Sequence, residues 1–271
     1  ARTLRNDNSS RFGKYLQLQF DRESSSRCTL AGSKCEVYLL EKSRVTMHHP
    51  DERTYHIFYQ LLAAPEATKQ QIWSGLANTD NESFDYVGWT NTTSIEGKTD
   101  AERFQLTVQA LELIGLRGES LLTLWRAICI VLQLGNLDFV PDPQNSDASI
   151  VDDEEELEVL SELIGIPSSP LTAALTIRTV QARSETFQVP LTADKAKEST
   201  DAFAKEIYAK TFLWLVRAIN DATCAEKNYN PAKSRNSLAE TIRARSNTTT
   251  GSAGASSTAA LPVSSRDYGI I

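Results

Sequence analysis

The sequence predicts a mainly α-helical chain with a few β-strands. Residues 15–20 and 35–40 alternate apolar and polar side chains, which is the pattern of half-buried strands. Several longer segments repeat apolar residues every three or four positions, which is the spacing of one helix face. With 271 residues, of which 41% are hydrophobic and 23% charged, the chain is long enough to bury a sizeable core.

Composition and charge argue against several classes of protein. The formal net charge of −7 is unlike that of a nucleic-acid binder, and no apolar run reaches the roughly 20 residues of a membrane-spanning helix. The four cysteines show no C-x-x-C spacing, so neither zinc nor a disulfide framework is predicted, and a reducing compartment is expected. The three histidines lack a second group of metal ligands and are interpreted as surface or packing residues.

The two alternating runs are predicted to pair as a hairpin. In the first, Leu16, Leu18 and Phe20 would face a core, while the glutamines between them face away. The residues between the two runs, 21–34, are predicted to be a polar loop with Gly32 as a turn residue.

Amphipathic helices are predicted after the hairpin. The first begins near Asp51 and carries an aromatic stripe that includes Tyr55 and Phe58. The second has Asp100 as its N-cap and ends near Gly115.

A further helix is predicted from about Glu119 to Gly135, and a long one begins at Thr192. Residues 141–149 are predicted to be a loop. The acidic run at residues 152–156 is interpreted as the start of another helix rather than a metal site, because carboxylates suit the positive end of a helix dipole.

Two segments are predicted to lie on the surface. Residues 174–191 are rich in β-branched side chains and predict a twisted, exposed, hairpin-like loop. Residues 222–266 consist mainly of Ser, Thr, Ala, Asn and basic residues and predict disorder. Either an insertion or an intron retained in the gene model would produce such a segment. Both ends look cut, so we expect an internal piece of a larger protein.

A polar stretch precedes the first strand. Residues 6–14 read N-D-N-S-S-R-F-G-K, and their carboxamides, hydroxyls and guanidinium are groups that hold phosphate oxygens and magnesium. Proteins of the α/β class place phosphate chemistry in polar loops at strand edges. The alternative is an ordinary turn or helix cap, because Asn, Asp and Ser side chains often bond to nearby backbone.

This stretch resembles the switch I motif of myosin motor heads, N-x-N-S-S-R-F-G-K, at every position. Later blocks agree in order. Residues 38–45 resemble Y-L-L-E-K-S-R-V, and residues 52–62 resemble E-R-N-Y-H-I-F-Y-Q-L-L with Thr54 in place of Asn. Residues 132–139 are similar to L-x-L-G-N-I-x-F, and residues 209–220 resemble the helix that leads toward switch II. The chain is therefore identified as a piece of a myosin motor domain, from switch I to just before switch II.

The resemblance implies a part of the P-loop NTPase-type α/β myosin head. Residues 1–45 would be the switch I loop and hairpin strands of the nucleotide-binding sheet. Residues 46–220 would be the helical upper 50 kDa subdomain, which binds actin. Residues 221–265 would be a low-complexity insert, and residues 266–271 the start of the strand leading to switch II.

The resemblance also implies roles for the switch I side chains, with ATP and Mg²⁺ as cofactors. Asn6 and Asn8 would help to hold the phosphates and the shape of the loop. Ser9 would lie against the γ-phosphate and the attacking water, and Ser10 would give its hydroxyl to Mg²⁺. Arg11 would pair with a switch II glutamate, so Ser9 and Arg11 are the expected catalytic residues.

In myosins the segment corresponding to residues 174–191 is an actin-binding surface loop, which here carries Arg178, Arg183 and Glu185. One position of that loop lies sixteen residues before a D-A-L-A-K block and is usually Thr, Ser, Glu or Asp. The block here begins at Asp201, so the position is Glu185. A permanent carboxylate would replace the charge that phosphorylation otherwise supplies, and no heavy-chain kinase would be needed. The alternative is an ordinary exposed glutamate.

The activity implied is that of an actin-activated Mg-ATPase in a complete head, which couples ATP hydrolysis to movement on F-actin. Neither G-x-x-x-x-G-K-[ST] nor the switch II motif D-I-x-G-F-E is present, so this fragment alone is expected to be inactive. The alternative is a truncated, ATPase-inactive fragment that binds actin or other partners. A G-protein-like switch lacks any guanine-reading motif.

The expected location is the cytoplasm and its actin cytoskeleton. Light chains or calmodulin are expected to contact only parts of the protein outside this sequence. No contact with nucleic acid or membrane is expected from this segment.

Overall fold

The computed structural model describes residues 1–24, 27–182 and 185–225. These residues form three two-stranded sheets and a larger set of helices, so the prediction of a mainly helical chain is confirmed. The α-helices are α1 (His56–Leu62), α2 (Glu66–Ile72), α3 (Asp100–Leu113), α4 (Glu119–Gly135), α5 (Glu154–Ile164), α6 (Ser168–Thr176) and α7 (Ala193–Thr223). The strands are β1 (Phe12–Ser24) with β2 (Arg27–Leu40), β3 (Phe139–Asp142) with β4 (Asn145–Val151), and β5 (Ile177–Ala182) with β6 (Glu185–Pro190).

The described residues divide into two units by their contacts. The first contains residues 1–13 and 37–215 apart from 183–184, and the second contains residues 14–24, 27–36 and 216–225. In the first unit, apolar faces of α1, α4 and α7 are buried. The Tyr208 ring of α7 stacks on Tyr55, with 4.7 Å between ring centroids.

The N-terminal hairpin is confirmed but is longer than predicted. Most of residues 21–34, predicted to be a loop, belongs to β1 and β2. Leu16, Leu18 and Phe20 are 51%, 53% and 57% exposed, so the prediction that they face a core is wrong for this structure. Alternating apolar residues give a strand one apolar face, but another layer of structure must pack on that face to bury it. A two-stranded sheet does not supply that layer itself.

Gly32 lies within β2, so its prediction as a turn residue is wrong. A Cβ at this position would sit 2.5 Å from the Thr223 carbonyl oxygen and 2.6 Å from the Ala225 nitrogen. Beside it, the Asn220 carboxamide donates to the Cys35 carbonyl (2.8 Å) and accepts from the Cys35 N–H (2.7 Å). The glycine therefore permits close approach of two backbone segments.

The aromatic stripe is confirmed, since Tyr55, which is the N-cap of α1, and Phe58 within the helix are both buried. The helix begins at His56, later than predicted. Thr54 lies in the preceding extended segment, where its hydroxyl donates to the Arg44 carbonyl oxygen (2.6 Å). The hydrogen bond from Thr54 to Arg44 is a tertiary contact made in extended backbone. Thr54 therefore lies outside the helix, although the apolar spacing includes it.

The helices α3 and α4 follow the predictions closely. The N-cap of α3 is Thr99 rather than Asp100. Its hydroxyl accepts the Glu102 N–H, and the Glu102 carboxylate accepts the Thr99 N–H, which makes a capping box. The helix α4 begins at Glu119 and ends at Gly135 as predicted.

Residues 141–149 were predicted to be a loop, and the structure places most of them in the β3–β4 hairpin. The register is irregular after Pro141, and the strands carry few of the apolar residues that signal a sheet. The acidic run begins α5 as predicted, because Asp153 is the N-cap and accepts the Glu155 N–H (2.9 Å).

The hairpin predicted around residues 174–191 is confirmed from Ile177, and the residues before it belong to α6. The long helix after Thr192 is confirmed as α7, which has 31 residues. Most of the predicted disordered segment, and the strand predicted at residues 266–271, lie outside the described residues. The four predicted segment boundaries stay a prediction.

Candidate functional site

Residues 6–11 form a tight polar loop directly before β1. The backbones of Thr3 and Asn6 exchange two hydrogen bonds, of 2.8 and 3.3 Å. The Asn6 carboxamide oxygen accepts the Asn8 N–H (2.9 Å), which is the turn-closing contact typical of asparagine. The loop therefore has a turn within it, whatever else its side chains do.

Asn8 is held at both ends of its carboxamide. Its Nδ2 donates to a Glu96 carboxylate oxygen (3.0 Å), and its Oδ1 lies 3.2 Å from His56 Nε2. Glu96 also accepts from Arg103 Nη2 (3.2 Å), and its backbone has a φ of 50°, which is rare outside glycine. The start of α1 and the loop before α3 thus fix one side chain of the polar loop.

His56 acts in this contact as a neutral donor. A carboxamide oxygen only accepts, so we assign the ring hydrogen to Nε2. Burial lowers the pKa of His56 to about 2, and the charges of Arg53 and Arg103 act in the same direction. The ring therefore stays neutral near pH 7 and holds Asn8 rather than transferring protons. The histidine expected to be a surface or packing residue contacts the candidate site.

Arg11 forms a two-pronged ion pair with Glu41. Its Nε contacts one carboxylate oxygen, and its Nη2 donates to the other (2.7 Å). Arg44 binds the same carboxylate through Nε (2.9 Å) and Glu52 through Nη1 (2.9 Å). The Glu41 N–H also donates to the Arg11 carbonyl (2.9 Å). We call Arg11, Glu41, Arg44 and Glu52 the ion-pair network. They are linked in that order, so positive and negative groups alternate along it.

Glu41 is the centre of this network. The hydrogen bond from Arg11 outweighs partial burial and lowers the pKa of Glu41 to about 2. The same contact raises the pKa of Arg11, so both groups are charged at neutral pH. The Tyr55 hydroxyl donates to the Glu41 carbonyl (2.8 Å), and the Tyr55 ring stacks on Tyr208. Glu41 is thereby anchored to the aromatic core.

The two serines of the loop differ in their contacts. Ser9 Oγ accepts from Arg11 Nη1 (3.4 Å), and the Ser9 N–H donates to the Ala1 carbonyl (2.8 Å). Ser10 is exposed, and its hydroxyl bonds to no residue among those that the structure describes. A hydroxyl oxygen in that state can bind a hard cation such as Mg²⁺, so Ser10 fits the metal role expected of it.

The predicted actin-binding residues lie on another element. Arg178 and Glu185 are exposed on β5 and β6, and Glu185 pairs in register with Ala182 at the end of that hairpin. Arg183 lies outside the described residues. The structure therefore separates this group from Asn6, Asn8, Ser9, Ser10 and Arg11, which it brings together in one loop.

Sequence reasoning did not find Glu41, His56 or Glu96 as supports of the loop. They lie 30, 48 and 88 positions from the loop residues that they contact, and no local pattern links residues so far apart. Glu41 and His56 do fall inside the blocks at residues 38–45 and 52–62, so those blocks were the available signal.

Within residues 1–24, 27–182 and 185–225, no three or more His, Cys, Asp or Glu side chains are placed to hold a metal ion. In the same ranges, no helix combines the length and apolar character needed to cross a membrane.

Comparison with known proteins gives one consistent result. The family described as Myosin head (motor domain) matches residues 1–233. Myosin-2 of Saccharomyces uvarum is 39% identical over 225 residues, which is 83% of this chain and 14% of that protein. Unconventional myosin-Vb of Mus musculus is 38% identical over 222 residues, or 82% of this chain and 12% of that protein. Unconventional myosin-Ic of Danio rerio is 38% identical over 220 residues, which is 81% of this chain and 21% of that protein. The chain spans about a fifth or less of the length of these relatives.

Proposed function

The chain belongs to the myosin head (motor domain) family, and we propose that it supplies one side of an ATP site and part of an actin-binding surface in an ATP-driven, actin-based motor. The complete head carries the activity. A phosphate-binding P-loop and a switch II segment, which this sequence lacks, complete the site. ATP with Mg²⁺ is the substrate, and F-actin is the partner.

The polar loop faces the phosphates in this proposal. The free Ser10 hydroxyl binds Mg²⁺, and Ser9 contacts the γ-phosphate and the attacking water. Mg²⁺ held there offsets charge on the phosphate oxygens during phosphoryl transfer. Asn6 keeps its amide nitrogen available for a phosphate, whereas both ends of the Asn8 carboxamide are already used by His56 and Glu96. We therefore assign Asn8 to the shape of the loop.

One observation supports this function most directly: the half-buried Ser9 hydroxyl, which precedes the exposed Ser10 in the chain, lies beside a guanidinium that Glu41 holds on its other edge. Arg11 is held by Glu41, and its Nη1 points to Ser9. Catalysis of phosphoryl transfer depends mainly on positioning and on charges that are already in place. A loop held in this way meets both requirements.

The β5–β6 hairpin contacts F-actin in this proposal, through Arg178, Arg183 and Glu185. The two described members, Arg178 and Glu185, are exposed, as a docking surface requires. Glu185 supplies a permanent negative charge, so actin engagement needs no phosphorylation of this loop. The motor works in the cytoplasm on the actin cytoskeleton, and light chains or calmodulin contact other parts of the protein.

ATP hydrolysis by the full-length protein tests the proposal. We expect hydrolysis that F-actin accelerates, and a loss of about 100-fold in Ser10→Ala, comparable to removal of one group that stabilises transition-state charge. Ser169→Ala is the matched control, because Ser169 is an exposed serine on α6, outside the site. A wild-type protein that neither binds nor hydrolyses ATP would overturn the proposal.

Co-sedimentation with F-actin separates the second function, that of an ATPase-inactive actin-binding fragment. The motor proposal expects ATP to release the full-length protein from actin. Binding that persists unchanged in ATP, together with no hydrolysis, favours the binding fragment.

A further inference from the structure

The contacts of Arg11 raise a question that its proposed role leaves open, namely what keeps this long side chain in place. A guanidinium has five N–H donors, and it offers one edge formed by Nε and Nη2 and another that includes Nη1. Glu41 occupies the Nε–Nη2 edge with both carboxylate oxygens. The Nη1 group remains on the Ser9 side, 3.4 Å from its hydroxyl oxygen.

Glu41 is itself fixed by several contacts. Arg44 binds the same carboxylate, and its side chain is only 8% exposed and also pairs with Glu52. The Glu41 N–H donates to the Arg11 carbonyl, and its own carbonyl accepts from the Tyr55 hydroxyl. Side chain and backbone of Glu41 are thus both held, which is what a rigid support for another side chain requires.

We propose that Glu41 is a positioning residue for the reaction: it holds Arg11 by one edge of the guanidinium and leaves the Nη1 edge directed at the Ser9 side of the loop. The inference rests on the proposed function and names a member of the same site that no switch motif contains. The switch II glutamate that is expected to pair with Arg11 can then approach the Nη1 edge without displacing Glu41. Arg44 binds the same carboxylate, so Glu41 is held between two guanidinium groups and its position next to Arg11 is fixed.

The first test examines the contact in the chain itself. In ¹⁵N–¹H spectra, the Arg11 Nε–H signal, assigned with Arg11→Lys, should be protected from solvent exchange in the wild type. It should exchange much faster in Glu41→Gln, because an amide replaces the carboxylate. Glu36→Gln is the control, since Glu36 pairs with Lys34 (2.9 Å) on an exposed part of the hairpin. An Arg11 signal that does not change in Glu41→Gln would overturn the inference.

The second test measures ATP hydrolysis by the full-length protein. Glu41→Gln should lower kcat by about 10- to 100-fold, which is the range usual for residues that orient a functional side chain without contacting the substrate. KM should stay within about twofold of the wild-type value. Glu41→Asp should restore part of kcat because it keeps the charge, and Glu36→Gln should match the wild type. Circular dichroism and Tm establish that each variant folds.

The outcomes are distinguishable. Glu41→Gln with normal kcat overturns the inference alone, as does a fall in kcat that comes only with loss of fold or is not eased by Glu41→Asp. A wild type that hydrolyses no ATP overturns the proposed function, and the positioning role falls with it. In that case the exchange of the Arg11 signal still decides whether Glu41 holds Arg11.

Discussion

The side chains that hold residues 6–11 come from distant parts of the chain. Glu41 follows β2, His56 begins α1, and Glu96 precedes α3. Each supports one loop residue through a polar contact. The contacts of Glu41 with Arg11 and of His56 with Asn8 are partly buried, so losing either would leave a donor or acceptor unpaired, whereas the contact of Glu96 with Asn8 is exposed. The conformation of the loop therefore depends on the contacts of Glu41, His56 and Glu96.

Acid should remove the contribution of Glu41 to stability. Its pKa in the folded chain is about 2, below the value of about 4.3 expected when unfolded. The unfolded chain therefore binds the proton first, so the stabilisation is complete above about pH 5 and is lost as the pH falls toward 2. Since the side chain is 30% exposed, solvent screening keeps the effect to about 1–2 kcal/mol.

Urea denaturation of wild type and Glu41→Gln at a series of pH values measures this contribution. The difference in free energy of unfolding should be greatest near neutral pH and should shrink toward pH 3. Glu36→Gln, at an exposed ion pair, should show little difference at any pH. A difference for Glu41→Gln that does not depend on pH would contradict the assignment.

Thr54 stands where the family pattern has Asn, and it is fully buried. Its hydroxyl donates to the Arg44 carbonyl at 2.6 Å, so Thr54→Val would leave that carbonyl unpaired while preserving side-chain shape. We expect a loss of about 1–3 kcal/mol in the free energy of unfolding. Thr123→Val is the control, since Thr123 also donates to a backbone carbonyl but is exposed, and it should lose much less. Equal losses in thermal or urea unfolding would contradict the argument from burial.

Among the secondary-structure elements, β2 and α7 were predicted from the spacing of their residues, but that spacing did not predict the tertiary contacts that they make. The residues of β2 alternate well enough to predict a strand, yet the role of Gly32 depends on the approach of the chain after α7. The helix α7 was predicted from its spacing, while its Asn220 binds the backbone of Cys35 through both ends of its amide. These contacts join positions 185 residues apart, which no periodicity reports.

Gly32→Ala should therefore disturb this contact. A methyl group would lie 2.5 Å from a backbone oxygen, and backbone cannot move aside as a flexible side chain can. We expect a loss of about 1–3 kcal/mol in stability, typical of overpacking. Hydrogen exchange should show faster exchange of the Cys35 amide, whose partner is Asn220. Ser33→Ala on the same strand is the control, and a Gly32→Ala protein with unchanged Cys35 exchange would contradict the prediction.

For the motor as a complete assembly, the polar loop and the β5–β6 hairpin carry different parts of the proposed function. In the proposed function, the loop would position charge around a phosphate, and the hairpin would present exposed charge to a filament. Changes in one should therefore alter hydrolysis, and changes in the other should alter the dependence on actin.

Glu185→Ala tests the actin side. We expect the actin concentration that half-saturates ATP turnover to rise by about two- to fivefold, since exposed charge pairs contribute up to about 1 kcal/mol. Turnover without actin should not change, because Glu185 lies outside the loop of residues 6–11. Gln188→Ala, an exposed uncharged neighbour on β6, is the control. Unchanged actin-stimulated turnover in Glu185→Ala would contradict the charge hypothesis and leave Glu185 as an ordinary surface residue.

The amino-acid order alone determined the family, the helical character and the loop that carries Ser9, Ser10 and Arg11, because these are properties of contiguous motifs and of spacing along the chain. Only the tertiary structure decided which groups support that loop and which apolar faces are covered. Contacts such as Arg11 with Glu41, or Asn8 with Glu96, depend on the path of the backbone between them. The exposure of Leu16 likewise depends on what packs against a strand, and alternation describes only the strand.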